Sequence, residues 1–344
     1  MVKILYEEKL YSSVTFLYYY AKIIGLCPLN LNGKLKLQTS SLYRLYAIFL
    51  SISYIFLFIW SIRLKYTIIF SHKQIIEATD LVDIFVHISQ LIATIFIWLT
   101  FAFRQKRLKN IVKSLQTTMK FCQQLKISSS SLKIMGIIQI WSYFVFFYFT
   151  TVFIVDQTFH CKIFSLYNLI LWGLYRYPHI VIHHVYFLFI SVLQIIELKF
   201  LHLNKILKKC GEEEMFNCAI FGYRFSSLTV KKITIAKQLH SYLIKIVEDV
   251  EDFFSVPILL MLMVNFVNTV SSVNIIYHIV IKNAEWYWML YLSSTMHFLV
   301  LFSNIVELFF ISTASGSISN EANNTGIALC KLWTNSKSNR MYSK

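Results

Sequence analysis

Asp80, Asp83, His87, Gln90 and Thr94 recur at i, i+3, i+7, i+10 and i+14 within an otherwise apolar run. On an α-helix that spacing puts all five on one face. Two carboxylates, an imidazole, an amide and a hydroxyl on one stripe can hydrogen-bond a small polar ligand or hold its positive charge. Groups of this kind are costly in apolar surroundings, so they usually face a bundle interior or a water-filled cavity. A plainer role also fits Asp80 and Asp83, which could end a helix in a headgroup layer, and the residues leave both readings open.

Comparable polar groups interrupt the other apolar stretches. They include Phe147, Tyr148, Thr150 and Thr151 in one, and His179, His183 and His184 in the next. Asn265, Asn268, Ser272 and Tyr277 follow, then Tyr291, Thr295, His297, Asn304 and Glu307. His179 and His183 have the i, i+4 spacing of a zinc pair, but no third ligand matches them, so no metal site is expected. The chain carries no HExxH, no GxSxG, no phosphate-cradling glycine loop and no dinucleotide fingerprint. Neither an enzyme nor a cofactor is indicated. The candidate ligand-binding residues are Asp83, His87, Tyr148, His183, Asn268, Tyr291 and Thr295. Asn265 and Asn304 are read instead as interhelical hydrogen bonders.

The elements that must position these groups follow from composition. Hydrophobic residues make up 57% of the chain and charged residues only 15%, where a soluble domain carries about 25% charge. A helix crosses a bilayer in roughly 20 apolar residues. Six stretches qualify: Leu45 to Ile62, Leu81 to Phe103, Ile134 to Val155, Tyr177 to Ile196, Phe254 to Ile281 and Trp286 to Ser312. Lipid offers no partner for a strand edge, so the fold class is all-α, a polytopic membrane helical bundle. Residues 164–176 are too short to span alone and read as a lead-in, with Pro178 marking the boundary of the fourth span.

The basic residues orient the bundle. Of 33 Lys and Arg, 27 fall in the N-terminal segment, the loops 104–133 and 197–253, and the tail, against 6 in the alternate loops. The positive-inside rule then puts the N-terminus in the cytoplasm. The same distribution explains the net charge of +16 as topology, and no nucleic-acid partner is expected. Six cysteines show no CxxC spacing, and Leu10 to Tyr20 lacks the features of a cleaved signal. Residues 1–44 form a cytoplasmic segment and 45–312 a six-helix membrane region. The loop 197–253 has Leu239, Leu243, Ile246 and Val250 at helical spacing, so the fourth and fifth helices should continue past the membrane. Residues 211–227 are read as their connection. Residues 313–344 are read as a cytoplasmic segment that turns into a further helix.

The chain resembles insect gustatory receptors, within the inverted seven-helix chemoreceptor superfamily. The residues that carry the likeness are YAKIIGLCPLN at 20–30, the long basic fourth-to-fifth loop, the very short fifth-to-sixth loop and SISNEANNTGIALCKLW at 317–333. Glu321, Ala322, Thr325, Leu329 and Leu332 fall where the family's EA-x-x-T-type helix lies. The resemblance implies a multi-pass plasma-membrane protein, embedded in lipid, that joins a homo- or hetero-tetramer of gustatory receptors. It implies a tastant as small-molecule ligand, entering among the second to sixth helices, and a gated cation pore lined by a seventh helix. That helix bears the family's TYhhhhhQF signature, which does not occur before Lys344, so six spans of an expected seven are visible. The alternatives are a G-protein-coupled receptor-like protein, which nothing like DRY supports, and a non-conducting accessory subunit. A reporter fused to Met1 should be shielded from an impermeant extracellular quencher in intact cells. Quenching without permeabilisation would reject the inverted topology.

Overall fold

The computed structural model describes residues 21–22, 24–26, 29–32, 36–72, 78–125, 166–221, 227–282 and 288–341. Among them run the helices α1 Ser41–His72, α2 Ala78–Phe103, α3 Gln105–Gln124, α4 Leu166–Phe221, α5 Ser227–Lys282 and α6 Trp288–Met341. A short antiparallel hairpin precedes them, β1 Leu29–Asn32 against β2 Lys36–Thr39, with Leu31 opposite Leu37. The expected membrane helical bundle is thus observed, with this hairpin added to it. Among the described residues, α1, α2, α4, α5 and α6 each contain a stretch long and apolar enough to cross a membrane. The expected third span, Ile134 to Val155, lies outside the described residues.

The chain divides into two compact units, the first made of Met1–Lys106, Ile137–Leu188 and Phe254–Phe309. Its logic is clearest in α1. Tyr43, Ala47, Ser51, Tyr54, Phe58 and Ser61 are buried, while Leu42, Leu45, Phe49, Ile52, Phe56 and Ile59 are exposed. Both sets follow the helical period, and both are largely apolar. A helix that is apolar all round makes sense only if its outer face meets lipid. Ser40 caps α1 through its Oγ, which accepts the Tyr43 N–H at 3.3 Å. Gln105 fastens the same point, donating to the Ser40 carbonyl at 3.1 Å and accepting its N–H at 3.0 Å.

The N-terminal motif folds onto this unit by its carbonyls. Leu26 N–H donates to the Ala21 carbonyl at 2.7 Å and Gly25 N–H to that of Lys22 at 3.2 Å. With Gly25 at φ +84°, this is the Schellman arrangement that ends a helix, and the left-handed position suits glycine. A Cβ on Gly25 would also meet the Trp98 indole nitrogen at 3.0 Å. That indole donates to the Ile24 carbonyl at 3.0 Å, and the Tyr43 hydroxyl donates to the Gly25 carbonyl.

Pro178 does not mark the boundary of the fourth helix, as the sequence reading had it; α4 runs through it for 56 residues. Proline lacks the N–H that would bond the carbonyl four residues back, here Leu174. The Tyr54 hydroxyl supplies the missing donor at 2.6 Å. Tyr54 is held in place by the Trp98 and Tyr177 rings, whose centroids lie 5.8 and 5.9 Å away.

The second unit comprises Arg107–Gly136, Phe189–Phe253 and Phe310–Lys344. Its buried residues alternate three and four apart: Ile196, Phe200, Leu203, Leu207 and Cys210 on α4, and Ala236, Leu239, Leu243, Ile246, Val250 and Phe253 on α5. This is the seam of a coiled coil. α4 and α5 are each continuous through this region, and α4 extends to Phe221, so their connection is shorter than 211–227. Ala314, Ile318, Ala322, Thr325 and Leu329 line one face of α6, which continues unbroken where a turn after Ser312 was expected. The basic loop 104–133 contains α3, whose buried Ile111 and Thr118 lie opposite exposed Lys113 and Lys120.

Replacing Tyr54 by Phe should strand the Leu174 carbonyl and cost about 1–3 kcal/mol. In a Pro178→Ala background, where a backbone N–H returns, the same change should cost little. Melting of the four purified proteins in detergent measures this, and equal losses in both backgrounds would refute the compensation.

Candidate functional site

Within the first unit, α2, α4, α5 and α6 each place polar side chains on the face turned toward the others. The side-chain amide of Gln90 on α2 donates to Asn268 Oδ1 on α5 at 2.9 Å. Its second hydrogen points to His179 Nε2 on α4 at 3.0 Å. The imidazole nitrogen is thereby the acceptor, so the His179 proton sits on Nδ1. One turn along, His183 stacks on His179, with ring centroids 6.2 Å apart and planes 21° from parallel. His183 Nδ1 pairs with Glu307 Oε1 on α6. The other carboxylate oxygen accepts from Asn265 Nδ2 on α5 at 3.0 Å, and the same amide group lies 3.0 Å from the Tyr186 hydroxyl on α4. Asn304 on α6 donates to Thr269 Oγ1 on α5 at 3.3 Å.

These contacts form two polar layers, Asn268–Gln90–His179 and His183–Glu307–Asn265–Tyr186, joined by the stacked imidazoles. The antiparallel run of α5 and α6 makes the layers match, since Asn265 meets Glu307 where Thr269 meets Asn304. Each interhelical bond in lipid contributes about 0.6 kcal/mol on average. A lone acid at the centre of a membrane helix costs about 2.5–3.5 kcal/mol on an insertion scale. Glu307 is tolerated because a histidine and an amide both turn toward it.

The sequence-derived candidates distribute unevenly over this arrangement. His183 and Asn268 lie within it. His87 is half-buried on α2, on the same stripe as Gln90 and less than one full turn from it, and Thr295 is exposed on α6. Asp83 lies in α2 and Tyr291 in α6, with side chains outside the described part, and Tyr148 lies outside the described residues altogether. Asn265 and Asn304 bond between helices, as their positions suggested. Gln90, Tyr186, Thr269 and Glu307 were not among the candidates. Gln90 was signalled by its place on the polar stripe and Glu307 by its depth in an apolar helix. Nothing in the sequence distinguishes Tyr186 from the many aromatic residues around it.

The second unit holds a separate polar set. Asn204 on α4 donates to the Glu321 carboxylate at 2.6 Å and to its carbonyl at 3.1 Å. Ser317 donates to Glu197 at 2.5 Å. His240 on α5 donates to the Ala322 carbonyl at 3.2 Å. Thr325 returns its hydroxyl to the Glu321 carbonyl at 2.7 Å. The EA-x-x-T residues thus hold α6 to α4 and α5 in this unit. A cavity of about 470 Å³ opens beside them, floored by Leu207, Gly211, Ala328 and Leu332. Burial pushes the Cys122 thiol on α3 above its usual range, against a smaller opposite effect from Lys199. That thiol is a poor nucleophile at neutral pH.

The family described as 7tm Chemosensory receptor matches residues 14–344. No curated protein matches the chain.

Removing one partner from the Glu307 layer should cost more than removing both. Glu307→Gln keeps the Asn265 contact but leaves His183 without its acid, and His183→Ala leaves the acid without its imidazole. Each should lower the melting temperature by several degrees, with the double variant no worse than the worse single one. Additive shifts in detergent melts would show that the two residues act independently.

Proposed function

Since the chain belongs to the 7tm chemosensory receptor family, we propose that it is a gustatory receptor, a subunit of a tastant-gated non-selective cation channel in the plasma membrane. The observation that carries this reading is the polar chain from Asn268 through Gln90, His179 and His183 to Glu307, which joins four helices. A ligand changes a conformational equilibrium only by binding one state better than another. A bundle held by exchangeable hydrogen bonds offers such a difference, because a polar ligand can take over a bond that one helix now makes to another. His183 and Asn268 belong to that chain, and Asp83 and His87 lie on the helical face that leads to Gln90. Tyr148, Tyr291 and Thr295 complete the proposed pocket.

The ligand is a small polar tastant. A carboxylate such as Asp83 suits the hydroxyls of a sugar or the ammonium of an alkaloid, and an aromatic such as Tyr291 suits either by stacking or cation–π contact. The non-sugar class is favoured, because the chain shows none of the character of the sugar-receptor subgroup. The skew of 27 basic residues against 6 supports a cytoplasmic N-terminus. A tetramer with copies of itself or with other gustatory receptors supplies the pore. The family is one of receptors rather than enzymes, in keeping with the lack of a catalytic signature.

Electrophysiology on cells expressing the chain, challenged with a panel of alkaloids and sugars, tests the reading. A ligand-evoked current, non-selective among cations, is expected when the chain is co-expressed with a receptor that bears the TYhhhhhQF helix, and Asp83→Asn or His87→Ala should shift its half-maximal dose several-fold at unchanged surface expression. A response that requires a G protein and carries no direct current would overturn the channel assignment. A co-expressed current whose dose dependence neither variant moves would make this chain an accessory subunit.

A further inference from the structure

Gln90 and Thr94 stand one helical turn apart on α2 and are 1% and 0% exposed. The Gln90 amide spends its two hydrogens on Asn268 and His179, which leaves Oε1 as a buried acceptor with no protein donor. Thr94 Oγ1 is likewise buried without a partner. This is unusual for a hydroxyl in a helix, which normally bonds a carbonyl three or four residues back. Ser51, Ser61, Thr100 and Thr118 all do so, at 2.7–2.8 Å. The apolar medium does not account for Thr94, since the same local bond was open to it.

We propose that Gln90 and Thr94 form a binding site for one buried water molecule. Side chains at i and i+4 are neighbours on one helix face, and a single water oxygen links two polar atoms up to about 5–6 Å apart through two hydrogen bonds of about 2.8 Å. Water donates one hydrogen to the Gln90 Oε1 and accepts from, or donates to, the Thr94 hydroxyl. Water can serve both, because the amide oxygen only accepts while the hydroxyl can donate or accept. Buried waters are found where a few otherwise unsatisfied polar atoms converge, and they are costly to remove. The water extends the Asn268–Gln90–His179 layer by one turn along α2 and fixes the Gln90 amide in the orientation that makes both its bonds.

Melting of the full chain in detergent, with water itself as the probe, tests the site. Thr94→Ser and Thr94→Ala delete the same methyl group, but only the second deletes the hydroxyl. The Thr94→Ala protein should melt a few degrees below the Thr94→Ser protein. In a Gln90→Leu background, where the water has lost its main acceptor, that gap should close. The two variants melting together in the wild-type background, or a gap that persists in the Gln90→Leu background, would overturn the proposal. Should the Gln90 variant not fold, a density map that resolves ordered water decides the matter. A peak within hydrogen-bond distance of both atoms supports the site, and continuous protein density or none there rejects it.

Discussion

A buried carbonyl cannot turn to water, and this constraint shapes the first unit. Proline at 178 frees the Leu174 carbonyl, and a tyrosine on α1 answers it at 2.6 Å. The end of the N-terminal turn frees the carbonyls of Ile24 and Gly25, and Trp98 and Tyr43 answer those. The answering groups are amphipathic aromatics, which bring a large apolar body and one polar tip. Tyr54, Trp98 and Tyr177 pack ring against ring at 5.8–5.9 Å. The aromatic cluster is therefore more than bulk: it is how the N-terminal segment, α1, α2 and α4 exchange hydrogen bonds without solvent.

The same constraint explains why the polar chain among the spans is continuous. An isolated Asn or Glu would be a liability in lipid, whereas each of Asn265, Asn268 and Glu307 has a partner on another helix. A network of this kind specifies the register of four helices more sharply than apolar packing does, since leucines tolerate sliding and a carboxylate–imidazole pair does not. Specificity and responsiveness then come from the same residues. Bonds worth under about 1 kcal/mol apiece hold one arrangement firmly enough to define it and loosely enough to be exchanged.

Much of this was legible in the residues. Helix identity followed from long apolar runs, and the seam at Leu239, Leu243, Ile246 and Val250 from its spacing, because both are repeated over many positions. Single-residue features were harder. Pro178 read as the boundary of the fourth span; only the fold shows that Tyr54 replaces the donor proline lacks, so that α4 runs on through it. The polar stretch after Ser312 read as a turn into a further helix, yet α6 runs on through it with Ala314, Ile318 and Ala322 buried on one face. The amphipathic α3 was hidden by its many charges. In the candidate site, polarity inside a span pointed to His183 and Asn268, but pairing is a property of two helices at once. Gln90 as hub and Tyr186 as partner could not be read from α2 or α4 alone.

The three-four alternation of the second unit has a consequence for how such chains change over time. Removing one residue from α5 between Ala236 and Val250 would rotate everything beyond it by about 100°, carrying Ile246 and Val250 off the seam and charged neighbours onto it. Removing seven would return every side chain to an equivalent place one repeat along. Lengthening or shortening in this bundle is therefore quantised, with seven the smallest step that leaves the seam intact. Loops elsewhere in the chain can drift by single residues, but here insertions and deletions must come in whole repeats or be matched on a facing helix.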